Sequence, residues 1–296
     1  MRFVTYNIRY SLGQDGRYDL ARVVRAVEGA DIIALQEVER FWPRSGMADQ
    51  PAEIGLLLPD YHWVYGPAFD VDASERTDEG TLLNRRRQFG SMLLSRTPIL
   101  SSRLHVLPKM GTAEGFNMDT GALEGILQTD GWPLRVCSLH LSALSPEDRL
   151  LQLDRLFAIL ERAVEDGGAW SGEHPVHGGD WSCGEPTPPM PEAAVLLGDF
   201  NDEPDSEEYR RLTQTGPESA GTDSTDRFCD AWVAAGRGPD DVFTRSPYPG
   251  AVVNREVRLD YCFVTGDLGA RVSRAWVDHK ALGSDHYPCW FDIDAP

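Results

Sequence analysis

The sequence predicts an α/β fold, and three features carry that expectation. Short apolar runs with strand character recur from one end of the chain to the other, and two amphipathic helical stretches are interleaved with them. Amide, carboxylate and imidazole side chains gather where those runs begin and end. In layered α/β folds, strand ends are where sites collect, drawing single residues from distant segments.

The first run, Phe3-Val4-Thr5-Tyr6, is followed by Asn7, Ile8 and Arg9. DLARVVRAVEGA (19–30) puts Leu20, Val23, Val24 and Val27 at the i, i+3, i+4, i+7 spacing of one helical face and closes on Gly29. The run Ile32–Leu35 ends in Gln36-Glu37, and Ser91–Leu94 follows the basic triplet Arg85-Arg86-Arg87. Leu134–Leu139 ends at His140. A longer helix is predicted over 145–168, with Ser145 as N-cap and Pro146 at the first helical position, where its missing N–H costs nothing. Leu150, Leu153, Leu156, Phe157, Leu160 and Val164 form its apolar face, and Gly167-Gly168 ends it. Segment 171–191, dense in Pro and Gly, predicts an extended loop. Val195-Leu196-Leu197 then runs into Gly198-Asp199-Phe200-Asn201-Asp202; a short helix is expected over 206–212 and a polar surface excursion over 213–227. The last runs are Leu259–Val264, with Asp260 among apolar neighbours, and Cys289-Trp290-Phe291, preceded by Ser284-Asp285-His286.

The 296 residues are 41% hydrophobic and 25% charged, enough to bury a substantial core. Lys and Arg number 28 against 47 Asp and Glu, giving a net charge of −19 and a pI near 4.7. Such a charge repels nucleic acid and anionic membranes at long range and disfavours a nuclease, unless a metal ion and a local basic patch reverse the field in a cleft. Cys137, Cys183, Cys229, Cys262 and Cys289 are odd in number and form no C-x-x-C pair, which argues against a disulfide framework or thiolate zinc site. The chain shows neither a secretory leader nor an apolar run of about 18 residues, so no transmembrane segment and a cytoplasmic location are expected.

Gly-Asp-Phe-Asn-Asp reads equally as a turn and as a site, because a period of two puts Asp199 and Asn201 on one side of the chain. Asn7 alone could cap a turn, and His140 alone could be a core histidine. Together with Glu37, Asp260, Asp285 and His286 they make an oxygen-rich set suited to Mg²⁺ or Mn²⁺ rather than zinc. Two histidines beside such an ion supply proton transfer and positive charge for phosphate. The set points to metal-assisted hydrolysis of a phosphate ester.

The motifs TYNIR (5–9), LQEV (35–38), GSMLLSR (90–96), SLHLS (138–142), GDFND (198–202), RLDYCFV (258–264) and SDHYP (284–288) resemble, in order and over nearly the whole chain, those of the endonuclease/exonuclease/phosphatase superfamily with its DNase I-like fold. The resemblance implies an α/β (α+β) four-layer sandwich of two packed mixed β-sheets flanked by helices, in one domain over 1–296. It implies Glu37 as principal metal ligand, Asn7 beside it and Asp285 approaching the same Mg²⁺ or Mn²⁺. Asp199 and Asn201 would position the attacking water and the phosphoryl oxygens. His140 would contact phosphate or protonate the leaving group, His286 would face the phosphate, and Asp260 would hold the tautomer of His286. Arg9 stands where the abasic-site repair branch carries a carboxylate, which weakens an abasic-endonuclease reading and a second metal. Gly90-Ser91-Met92 replaces the family's Gly-Asn-Ala.

Arg9 and Arg87 are candidate phosphate contacts, although a solvated strand entry explains the arginine triplet as well. His174, His177, Asp180, Cys183 and Glu185 have no regular ligand spacing and are expected in a solvated loop. The expected activity is phosphodiester or phosphomonoester hydrolysis on a small or lipid-derived phosphate. The alternatives are a nuclease, which would need basic strips along the cleft, and a catalytically silent binding module, disfavoured because every expected polar position is retained.

Overall fold

Val195-Leu196-Leu197 is apolar without alternation because both faces of its strand are covered. Val195 and Leu197 join Phe3, Ile32, Ala34, Leu93, Leu123, Val136, Cys262 and Val264 in a core between two sheets. Leu196 points the other way, to a second core with Phe200, Tyr261, Phe263 and the helix residues Leu153, Leu156, Tyr209 and Leu212. A third core lies outside the other sheet, where Val4, Tyr6, Ile33 and Leu35 meet Val23, Val24, Val27 and Ile54. The computed structural model, which describes residues 1–113, 115–213, 228–248 and 254–294, is therefore layered helix–sheet–sheet–helix, the sandwich the sequence motifs imply.

In chain order the strands are β1 (Arg2–Asn7), β2 (Ile32–Arg40), β3 (His62–Asp72), β4 (Glu75–Arg76), β5 (Leu82–Leu83), β6 (Arg86–Ser95) and β7 (Ile99–Val106). They continue with β8 (Gly121–Gln128), β9 (Pro133–His140), β10 (Ala194–Asp199), β11 (Phe228–Asp230), β12 (Asp260–Thr265), β13 (Val272–Val277) and β14 (Cys289–Ile293). The helices are α1 (Leu20–Val27), α2 (Gln50–Leu57), α3 (Pro146–Asp166), α4 (Gly178–Ser182), α5 (Glu207–Thr213), α6 (Ala231–Ala234) and α7 (Gly266–Gly269). One sheet has the order β13-β14-β1-β2-β6-β3, the other β11-β12-β10-β9-β8-β7, and β4-β5 form a small ribbon. β1 runs parallel to β2, and β9 parallel to β10. Their C-terminal ends thus carry their polar residues to the same rim.

The capped helices form where expected. Ser145 accepts from the Asp148 N–H at the start of α3, and Asp19 accepts from the Arg22 N–H at the start of α1. Val164, placed by periodicity on the packed face of α3, is exposed; Leu153 and Leu156 form the buried stripe. The expected loop at 171–191 holds the one-turn helix α4. The polar excursion expected at 213–227 begins after Thr213 ends α5, and 214–227 lie outside the described residues. Among the described residues no helix is long and apolar enough to cross a membrane.

Two differences follow from local chemistry. β2 does not stop at Leu35 but continues to Arg40 through a bulge, where its register against β6 slips between Leu35 and Val38 and Glu37 takes φ 59°. β3 and β7 were not apparent because they are edge strands. HWVYGPAFDVD contains Gly66 and Pro67, and the apolar residues of ILSSRLHV are interrupted by Ser101, Ser102 and Arg103.

Candidate active site

Register builds the site. On the second sheet Asp199 of β10 stands between His140 of β9 and Asp260 of β12, as the direct pairing partner of each. On the first sheet Asn7 pairs with Gln36, one residue before Glu37. Buried Gln36 joins the two sheets beneath this rim: its amide donates to Ser138 Oγ at 3.1 Å while Thr5 Oγ1 donates to its carbonyl at 3.2 Å. A fully satisfied buried polar link of this kind fixes the relative position of two sheets.

The backbone departs from ordinary conformations around the same point. Arg9, Tyr10, Ser11, Glu37 and Asn201 all have positive φ; each such residue costs on the order of 1–3 kcal/mol, and such outliers gather at functional sites. Asn201 tolerates its φ of 53° better than most residues, and its N–H donates to Asp199 Oδ1 at 2.9 Å. Gly198 has a different reason: a Cβ there would lie 2.0 Å from the carbonyl oxygen of Leu139 on the neighbouring strand. The glycine ahead of Asp199 lets β9 and β10 approach closely.

Asp199 Oδ2 is the hub. Asn7 Nδ2 donates to it at 2.9 Å and to Glu37 Oε1 at 3.0 Å, bridging the two carboxylates. His140 Nε2 and His286 Nε2 stand 3.8 and 3.7 Å from the same oxygen. His286 Nδ1 lies 2.8 Å from Asp260 Oδ2, which also accepts from Thr244 Oγ1 at 2.6 Å. Burial opposes the charge on His286, but Asp260, Asp199 and Asp285 outweigh it and push its pKa up to about 10. Burial in turn pushes Asp260 up and His286 pulls it down; with three carboxylates around one ring, the pair is carboxylate and imidazolium. Asp285 pairs with Arg9 Nε at 3.7 Å and Arg245 Nε at 3.5 Å, and Arg9 lies over the Tyr248 ring at 4.0 Å.

These residues border a cleft of about 890 Å³ whose lining includes Arg9, Glu37, His140, Asp199, Asn201, Asp285 and His286. The lining also includes Tyr10, Trp42, Arg44 and Phe89, and the acidic residues Glu203, Asp205, Glu207 and Glu208. Asn7 lies buried beneath, and Asp260 behind His286. The expected catalytic and metal-binding residues are thus gathered in one place. Arg87 is not: its Nε donates to the Phe41 carbonyl and it is absent from the cleft lining, while Arg85 pairs with Glu75 and Arg86 with Asp70. His174 and His177 stack on each other in the exposed loop. Among the described residues Asp199, Asp260 and His286 bring three ligand atoms of the His, Cys, Asp and Glu types into one tight group. Its short Asp260–His286 hydrogen bond makes it a proton-holding relay.

Sequence reasoning missed Thr244, Arg245, Tyr248 and Arg44. They lie in irregular segments outside the apolar runs, and no periodicity marks them.

Comparison with curated protein sequences gives no match. Solved structures are similar in fold. An endonuclease/exonuclease/phosphatase from Beutenbergia cavernae DSM 12333 is 22% identical, with 99% of this chain and 71% of that chain covered and a TM-score of 0.64. The mannosyl-6-phosphatase Bt3783 of Bacteroides thetaiotaomicron VPI-5482 is 15% identical over 100% of both chains, TM-score 0.61. TDP2 of D. rerio, complexed with a single strand DNA product, is 15% identical over 100% of this chain and 99% of that chain, TM-score 0.61. The model of the Endonuclease/Exonuclease/phosphatase family matches residues 4–286, and the chain belongs to that family of hydrolases acting on phosphoesters.

Proposed function

We propose that the protein, acting as one domain, is a divalent-metal-dependent phosphoesterase that hydrolyses a small or lipid-derived phosphodiester or phosphomonoester by attack of water on phosphorus. The observation that carries this reading is the convergence of Asn7, His140 and His286 on one oxygen of Asp199.

The donor set fits a hard cation: Glu37 and Asp285 offer carboxylate oxygens and Asn7 an amide beside them, with no thiolate. Glu37 and Asp285 would hold Mg²⁺ or Mn²⁺, which when bound polarises the phosphoryl oxygens and offsets their charge. The remaining chemistry belongs to the chain. Asp199, held by the Asn7 amide, is the acceptor that orients water toward phosphorus. Asn201 uses one amide N–H on the Leu141 carbonyl, fixing the side chain, and keeps its other N–H for a phosphoryl oxygen. His286, protonated and locked through Nδ1 by Asp260, presents Nε2–H to developing negative charge. His140, half-buried at the opposite side of Asp199, is placed to hand a proton to the leaving oxygen.

The carboxylates of Asp205 and Glu207 in the cleft lining and the net charge of −19 favour a small substrate over duplex DNA, whose binding rests on phosphate neutralisation. A nuclease reading is favoured by one observation, the rings of Tyr10, Trp42 and Phe89 in the cleft, on which unpaired bases could stack; the similar fold of TDP2 with single strand DNA is in line with it. The test is a screen with Mg²⁺ or Mn²⁺ over bis-p-nitrophenyl phosphate, p-nitrophenyl phosphate, phospholipid, and single-stranded and plasmid DNA. Turnover of the small esters with DNA weakly cleaved supports the proposal; preferential cleavage of DNA puts the nuclease reading first.

A further inference from the structure

Arg44 is set in a tight turn after β2. The turn closes on itself through Phe41 N–H to the Ala48 carbonyl and Met47 N–H to the Trp42 carbonyl, both 2.9 Å, with Gly46 at φ 72°. The guanidinium donates twice, through Nε at 2.9 Å and Nη2 at 2.7 Å, to a single oxygen of Glu39, a carboxylate with no solvent exposure. Its Cζ lies 3.9 Å from the Tyr10 ring centroid and 4.3 Å from that of Trp42. Trp42 is itself pinned by its indole N–H on the Gln88 carbonyl. Two of five donors are used in this way. The opposite edge, Nη1 and the second Nη2 N–H, takes no acceptor among the described residues, and Arg44 lines the cleft. A single ring, Phe89, stands between it and the catalytic end: its centroid is 5.9 Å from Arg44 Cζ and 6.4 Å from the ring of His140.

A guanidinium held on one edge and packed against two rings is preorganised on its remaining edge, whose paired N–H groups match the two oxygens of a carboxylate or phosphate. We propose that Arg44 is a specificity-determining residue that receives a second oxyanion of the substrate, on the part remote from the scissile ester, with Tyr10, Trp42 and Phe89 walling the connecting carbons. The proposal deepens the phosphoesterase reading and rests on it.

The test uses alkyl p-nitrophenyl phosphodiesters of graded arm length, each arm ending in a carboxylate, a phosphate or a neutral methyl ester. For the full chain with Mg²⁺, KM for a charged arm should fall about 10- to 100-fold below that of the matching ester, the size of one charge-assisted bidentate contact. The carboxylate and phosphate arms distinguish the two sources. In the double variant E39Q/R44Q, which avoids an unpaired buried carboxylate, the ratio should collapse to near unity. R44K, a point charge without the fork, should keep part of it, and R86Q, on an arginine engaged with Asp70 outside the cleft, should keep all of it. An unchanged ratio in E39Q/R44Q, or no preference in the native chain, would reduce Arg44 to a counter-charge for Glu39. Should none of the esters be hydrolysed, the phosphoesterase reading fails instead. Calorimetric binding of the same compounds in EDTA then still judges Arg44, and equal Kd values for native and E39Q/R44Q protein would overturn the proposal.

Discussion

Replacing Asp260 by Asn removes one charge and almost no volume from the buried relay. In the native chain His286 Nδ1 is 2.8 Å from Asp260 Oδ2, and His286 is held protonated up to about pH 10 instead of its ordinary 6.5. Burial lowers this pKa, and Asp260 is the strongest of the groups that raise it. With Asp260 neutral the burial remains and the main attraction is gone, so His286 should titrate near or below neutrality. At about 1.4 kcal/mol per pH unit, the imidazolium loses on the order of 4 kcal/mol of stabilisation at neutral pH. The sign follows from linkage. A raised folded-state pKa gives stability that is complete below the unfolded value and lost as pH rises through about 10, and D260N should lose that contribution throughout this window. The assay is proton NMR of the His286 ring in metal-free protein from pH 5 to 10.5, with kcat on a small phosphodiester measured beside it. The ring resonance should shift near or below neutrality in D260N and not before about pH 9 in native protein, and kcat should fall by about 10²–10⁴-fold. An unchanged titration with kcat within threefold of native would refute the relay.

Two further substitutions test the geometry. G198A drives a Cβ to 2.0 Å from the Leu139 carbonyl, so urea unfolding should show a loss of about 1–3 kcal/mol, and kcat should fall with it because Asp199 and His140 sit on the two strands forced apart. R44A leaves Glu39 buried without its partner and should cost roughly 3 kcal/mol, the low end for breaking a buried pair because Arg44 is 36% exposed; adding E39Q should restore most of it in the same unfolding assay.

Much of the site was legible because its residues sit where strands begin or end, and strand runs are the plainest signal in the sequence. Asp199 follows Val195-Leu196-Leu197 and His140 follows Leu134–Leu139; once these strands pair in parallel, the two side chains are neighbours. Glu37 was found for its type but not its setting, since the bulge that turns it is a property of the pairing with β6. The basic triplet shows the opposite failure. Three consecutive arginines catch the eye, yet in the fold they engage Glu75, Asp70 and the Phe41 carbonyl. The solitary Arg44 faces the cleft because the buried Glu39 five residues earlier holds it there. Thr244 was unreadable for a related reason: its value lies in reaching Asp260, sixteen residues on, which no local pattern encodes.

Cation dependence of hydrolysis in native and E37Q protein bears most directly on the central claim. Enzyme stripped with EDTA should lose turnover of bis-p-nitrophenyl phosphate and regain it with Mg²⁺ or Mn²⁺. Because Glu37 is the carboxylate bridged to Asp199 through Asn7, E37Q should need at least about tenfold more cation for half-maximal rate, in keeping with the loss of a charged ligand. Full activity in EDTA, or the same cation requirement in E37Q as in native protein, would contradict a metal-dependent phosphoesterase centred on these residues.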